Sequence, residues 1–165
     1  MPPPAGLARG HMRTRIPPPF IMFFAAALMW ALHRWLPLLE WPGRPWNRLG
    51  GLIVAAGIVV SASAFVNFKR AGTTVDPRDP GKASRLVTGG VFRFSRNPMY
   101  LGLLLVLIGW ALLLGSASVW VVPPLFAAGI THLQIIPEEQ ALVRLFGDEY
   151  LAYRRSVARW FGRIR

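Results

Sequence analysis

The sequence predicts an all-α integral membrane protein with about four transmembrane helices, a cytoplasmic loop and a C-terminal amphipathic helical segment. Three observations carry that prediction. Of the 165 residues, 53% are hydrophobic and only 16% are charged, where an ordinary soluble domain carries about 25% charge. The apolar residues come in long runs, and the charges fall between the runs. Lys and Arg number 19 against 7 acidic residues, for a net charge of +12. In a soluble chain that excess would suit nucleic acid. Between apolar runs of bilayer length it reads as basic cytosolic loops, and no nucleic-acid partner is expected. The chain has no cysteine, which excludes a disulfide framework, a thiolate metal site and a Cys nucleophile.

Residues 1–19 hold Pro2, Pro3, Pro4, Pro17, Pro18 and Pro19 with Arg9, Arg13 and Arg15, and read as a disordered basic tail. Residues 20–165 form one membrane domain. The first span covers 20–39 and is apolar except for His33 and Arg34 near its end. No small-residue cleavage site follows it, so it reads as a span and not as a signal peptide. The second span, 49–68, is dense in small residues, including Gly50, Gly51, Gly57, Ser61 and Ala64. Such residues let helices approach closely in lipid. A long polar segment, 69–97, leads to the third span at 98–114, where Pro98 suits a first helical turn. Gly115-Ser116 makes a very short turn into the fourth span, 117–136, so these two spans form an antiparallel hairpin. Pro123-Pro124 is expected to kink the fourth span.

Cytoplasmic helices follow over 138–160. Leu142, Leu145 and Phe146 share a face, Gly147 stops one helix, and Asp148 caps the next. Tyr150, Tyr153, Val157, Trp160 and Phe161 then alternate with Arg154, Arg155, Arg159, Arg163 and Arg165. That mixture suits a helix lying on an anionic membrane surface. The tail, the 69–97 loop and the C-terminal segment carry most of the cations; Arg44 and Arg48 lie on the opposite side, and Arg34 near the end of the first span. The positive-inside rule then places both termini and the long loop in the cytoplasm, a pattern that suits a bacterial inner membrane.

Polar residues of interest collect beside two spans on that side, at 73–100 and 132–153, and the hairpin brings the segments together. Glu138 and Glu139 stand side by side just past an intramembrane helix. They read either as carboxylates favouring a helix N-terminus after Pro137 or as ligands for a cationic group at low dielectric. Neighbours on a helix point about 100° apart, so the two do not face one ligand atom. Arg96-Asn97-Pro98 reads either as an interfacial arginine with an Asn97 helix cap or as a carboxylate clamp. Tyr100 is an aromatic-belt residue or a ligand contact. His132, seven residues before Glu139, falls on the same helical face and is a packing residue or a ligand contact. No metal site is expected from three scattered histidines, and the glycine pattern after a strand that marks a nucleotide-binding domain is absent.

Three elements, AGTTVDP (Ala71 to Pro77), SRLVTGGVFRFSRNPMYLG (Ser84 to Gly102) and EEQALVRLFGDEYLAYRRSVARW (Glu138 to Trp160), resemble the isoprenylcysteine carboxyl methyltransferase family. The membrane phospholipid methyltransferases are similar in the same region. The resemblance implies an integral-membrane enzyme that uses S-adenosylmethionine as cofactor. The family's Arg-His-Pro-x-Tyr element falls on Arg96, Asn97, Pro98 and Tyr100, with asparagine in place of the usual histidine, and its paired glutamates fall on Glu138 and Glu139. Donor binding is therefore expected at Arg96, Asn97, Pro98, Tyr100, His132, Glu138 and Glu139. The catalytic candidates are Glu139 and Arg154; Arg154 or Arg155 either holds an acceptor carboxylate or is drawn to anionic lipid. The expected partners are membrane lipids and a lipophilic or lipidated acceptor such as an isoprenylcysteine carboxylate. The alternatives are a phospholipid amine N-methyltransferase, an NADPH enzyme of the sterol-reductase type, and a non-catalytic membrane scaffold.

Overall fold

The computed structural model describes residues 17–41, 45–72 and 85–164. The tail up to residue 16, Arg44, residues 73–84 with Arg78 and Lys82, and Arg165 lie outside them. Five α-helices follow in order: α1 (Pro18–Trp35), α2 (Trp46–Arg70), α3 (Pro98–Leu114), α4 (Val122–Ile130) and α5 (Ile136–Ser156). Among the described residues no strand forms; one isolated bridge joins Val157 and Arg163.

Helix α1 starts at Pro18, two residues before the expected boundary, because Pro18 and Pro19 occupy the first helical turn. A proline there gives up no hydrogen bond, and its fixed φ is already helical. The helix stops at Trp35, four residues short of the expected Leu39. Residues 36–41 turn back instead and bind the α3–α4 turn. Ala117 N–H donates to the Leu38 carbonyl at 2.8 Å, and Trp41 N–H to the Gly115 carbonyl at 3.1 Å. Gly115, at φ 68°, closes α3 in the left-handed conformation that glycine adopts without strain.

Helices α2 and α3 are antiparallel and form the closest packing in the molecule. The pairs Gly50–Gly109 and Gly57–Gly102 face each other, two helical turns apart on each helix. A Cβ added at Gly57 would lie 2.6 Å from the Gly102 carbonyl oxygen, and one at Gly109 would lie 2.6 Å from that of Gly50. The backbones touch, and no side chain fits between them. Above the glycines, the Ser61 hydroxyl donates to the Met99 carbonyl at 3.2 Å. The small residues of 49–68 thus do what their density implied, and their partner is α3.

Helix α1 lies across α3 and α4. Met22, Ala25 and Met29 pack with Leu107, Ala111, Val122, Phe126 and Ile130 in one apolar core. The Trp110 indole donates to the Ala26 carbonyl at 3.3 Å. A second core forms around Ala64, Phe92, Tyr150, Tyr153 and Val157. Elsewhere large apolar side chains point outward, among them Phe20, Phe23, Phe24, Leu52, Ile58, Val59, Phe65 and Leu125. An exposed apolar surface of that extent marks contact with a membrane. Among the described residues, two helices are long and apolar enough to cross one: α2 and the continuous helical stretch Ala117–Ser156.

That stretch is not one regular helix. Residues Ala117–Val121 form a 3-10 turn, and Pro123 and Pro124 sit in the first turn of α4, where the 3-10 turn gives way to α-helix. A further irregularity comes later. Thr131–Ile135 is a π turn joining α4 to α5 directly before Ile136-Pro137. A proline ring clashes with the carbonyl four residues earlier, and widening the preceding turn relieves that clash. Helix α5 breaks at Gly147 (φ 49°, ψ −123°) as expected, then ends at Ser156. The expected surface helix to residue 160 does not form. Residues 157–164 instead fold back as a strap: Ala158 N–H donates to the Gly162 carbonyl, Gly162 N–H to that of Phe94, and Arg96 N–H to that of Ala158. Tyr150 and Tyr153, expected at the lipid surface, are buried beneath it, while Leu145 is exposed.

The glycine contact yields the first expected outcome. Gly102→Val should lower stability in detergent by about 3 kcal/mol or more, since overpacking here strikes backbone. Gly51→Val, whose Cβ meets nothing within 4 Å, should unfold close to the wild type. Equal denaturation curves for the two variants would show that the α2 and α3 backbones are not in contact.

Candidate functional site

The polar residues of interest meet where the segment before α3, the first turn of α5 and the strap converge. The Glu139 carboxylate is 5% exposed, and a charge so deeply buried requires counter-charges. Two arginines supply them, Arg96 from before α3 and Arg159 from beyond the end of α5. Arg96 Nη1 lies 2.8 Å from Oε1. Arg159 grips both oxygens, Nε donating to Oε1 at 3.1 Å and Nη2 to Oε2 at 2.8 Å. This is the forked geometry that a planar guanidinium offers a carboxylate. The bonding to Glu139 holds the Arg159 guanidinium above its ordinary pKa, so it stays protonated. Arg96 Nη1 also donates to the Tyr150 hydroxyl at 3.3 Å. Tyr150 lies past the apolar part of the helix, and burial, with the nearby Glu139 charge, raises its pKa and keeps it neutral.

Glu138 points elsewhere. Its Oε1 accepts from the Tyr100 hydroxyl at 2.6 Å. The two adjacent glutamates therefore serve different partners, as their angular separation on a helix requires. The helix-start explanation of the pair fails on the backbone, because the π turn runs unbroken from α4 into α5 and leaves no free N-terminus at Pro137.

Pro98 opens α3 and is fully buried. Asn97 does not cap that helix with its side chain. Its amide donates instead to the Arg159 carbonyl at 3.1 Å, and its N–H to Ser95 Oγ at 3.0 Å. Asparagine at this position thus fastens the strap that carries Arg159. The structure brings Arg96, Asn97, Pro98, Tyr100, Glu138 and Glu139 into one neighbourhood. His132 is not among them. It is exposed, because the extra width of the π turn rotates it off the face it would share with Glu139 in a regular helix. Arg154 is exposed on the last turn of α5, and Arg159 takes the inward place.

Sequence reasoning missed Arg159 and Tyr150, having assigned both to a lipid-facing helix. The signal for Arg159 was slight: a β-branched Val157 after Ser156, and Gly162 three residues beyond Arg159, which adopts φ 111° in the fold-back.

The phospholipid methyltransferase family model matches residues 46–149. An uncharacterised protein of Haemophilus influenzae is 45% identical over 62 residues, which are 38% of this chain and 98% of that protein. The protein-S-isoprenylcysteine O-methyltransferase of Schizosaccharomyces pombe is 30% identical over 101 residues, or 61% of this chain and 43% of that protein. Protein-S-isoprenylcysteine O-methyltransferase A of Arabidopsis thaliana is 29% identical over 145 residues, or 82% of this chain and 71% of that protein. No solved structure matches. The resemblance carried by the motifs around Arg96 and Glu138 holds, and the chain belongs to the phospholipid methyltransferase family, with isoprenylcysteine O-methyltransferases among its relatives.

Proposed function

We propose that the chain is an S-adenosylmethionine-dependent membrane methyltransferase acting on a lipophilic acceptor, with an isoprenylcysteine carboxylate as the favoured class. Family membership supports the methyl-transfer chemistry. The buried Arg96–Glu139–Arg159 cluster with Glu138 beside it is the observation that carries the donor site. A phospholipid amine is the second acceptor class, favoured by the family description itself. On this reading α1, α2, α3 and the apolar segment 117–136 are four spans, with both termini in the cytoplasm of a bacterial inner membrane. The concentration of cations in the tail, the 69–97 loop and the C-terminal segment supports that orientation.

The residues fit the donor, which carries a carboxylate, an ammonium and a sulfonium. Two guanidiniums against one carboxylate leave the Glu139 cluster one positive charge in excess. Arg96 Nε is buried with no hydrogen-bond acceptor among the described residues. Both features suit the donor's carboxylate. Glu138 suits the ammonium, since each oxygen of Glu139 already accepts from a guanidinium. When bound, S-adenosylmethionine supplies an electrophilic methyl group on sulfur. Tyr100 orients Glu138, Tyr150 steadies Arg96, and Leu142, Val143 and Phe146 exclude water beside them. Arg154 is free to hold an acceptor carboxylate at the surface, and such an acceptor needs no general base from the chain.

Two expected outcomes separate scaffold from ligand contact. Glu139→Gln leaves Arg96 buried without its counter-charge, and should cost about 3–5 kcal/mol of stability, read by thermal denaturation in detergent. Glu138→Gln should leave the melting curve near wild type yet weaken S-adenosylmethionine binding about tenfold or more, read by calorimetry on the purified chain. Tyr100→Phe should weaken binding less, because it releases Glu138 without removing it. No binding to folded, lipid-supplemented wild-type protein would overturn the methyltransferase reading.

A further inference from the structure

Near the Glu139 cluster, a cavity of about 250 Å³ opens between the Gly90–Arg93 turn, the end of α5 and the strap. Thr88, Arg93, Tyr153, Ser156, Val157 and Arg163 line it. No carboxylate is among them, and neither guanidinium forms an ion pair with a described residue. Two guanidiniums with no counter-charge among the described residues repel each other across one cavity, and an anion between them reverses the sign of that interaction. The other polar groups are committed. The Ser156 hydroxyl donates to the Tyr153 carbonyl at 2.9 Å, and the Tyr153 hydroxyl to that of Phe92 at 2.7 Å. The lining residues whose side-chain donors have no partner among the described residues are thus Arg93, Arg163 and Thr88. Two forks offer more N–H groups than a carboxylate's two oxygens arrange well, whereas a tetrahedral phosphate presents oxygens in several directions.

We propose that this cavity is an oxyanion site for a phosphate group, from a lipid phosphodiester or from free phosphate, and that its occupation clips the strap closed. Arg163 belongs to the strap and is bridged to Val157. Arg93 ends the turn whose next residue, Phe94, accepts the Gly162 N–H at 2.7 Å. The two cations therefore sit on the two pieces of chain that must stay together for Arg159 to reach Glu139. A ligand that bridges them binds the closed strap and not the open one, so it stabilises the Arg159–Glu139 contact by linkage. Anion binding here does not depend on the methyl-donor reading.

The test uses the full chain in maltoside detergent with no S-adenosylmethionine present. Inorganic phosphate and short-chain phosphatidylglycerol are titrated separately, and amide hydrogen exchange is followed at Ala158 and Gly162. The expected result is exchange about tenfold slower at those amides at saturating anion, with the effect lost in Arg93→Gln and Arg163→Gln. Both positions are exposed, so these variants should fold. Tighter action of the lipid identifies the phosphodiester as the ligand, and equal or tighter action of phosphate identifies the free ion. No slowing in the wild type, slowing of all amides alike, or slowing retained in both variants would each overturn the proposal.

Discussion

The buried carboxylate of Glu139 is the constraint on which the end of the molecule around the strap depends. An isolated charge at that depth would neutralise itself or unfold its surroundings. Its two counter-charges come from Arg96, just before α3, and from Arg159, beyond the end of α5. Satisfying one side chain therefore joins three stretches of chain that lie far apart in sequence. The same groups are secured a second time through backbone. Arg96 N–H donates to the Ala158 carbonyl, and the Asn97 amide to that of Arg159. Charge pairing and strap geometry thus specify each other.

The Glu139 cluster can be held in place only because α3 is held in place. The glycine contact with α2 does this, and its consequence is positional more than energetic. With backbones touching at Gly57 and Gly102, the start of α3 is drawn against α2 at Ser61. Phe92, just before α3, meets Phe68 of α2 edge to face at 5.0 Å between ring centroids. In lipid no hydrophobic force drives helices together, so close van der Waals contact has to perform this alignment.

Much of this was legible in the sequence, and the failures share a cause. Apolar runs, the proline start of α3, the Gly115 turn and the Gly147 break are local signals, and the structure follows them. The Arg96–Tyr100 and Glu138–Glu139 elements also come together as their flanking helices require. What escaped was anything set by a change of helical period or by chain reversal. His132 and Glu139 share a face only if every turn has 3.6 residues, and the π turn at Thr131–Ile135 breaks that premise. Arg159 looked like one more cation on a lipid-facing helix, because the periodicity of apolar residues continues through Trp160 although the helix ends at Ser156. Val157 and Gly162 hint that the chain reverses here, yet neither singles out Arg159 from the C-terminal arginine series as the one that turns inward. Its role is fixed by where Glu139 lies.

An arginine–glutamate–arginine cluster differs from the simple division of labour that paired glutamates and a lone arginine imply, with one acid for a cation and one base for an anion. Glu139 spends its charge inside the protein, and what it offers outward is the surplus of its two partners. Glu138, whose Oε1 accepts from the Tyr100 hydroxyl, is a carboxylate turned to a different partner one residue away. In the proposed donor site, a zwitterionic ligand group would meet a carboxylate and a guanidinium surplus at that spacing, whereas a simple cation or a simple anion would suit only one half. Burial strengthens both discriminations, since the pairs act at lower dielectric than water. For the proposed donor site, selectivity would therefore reside in the relation between two neighbouring residues on one helix and not in either glutamate alone.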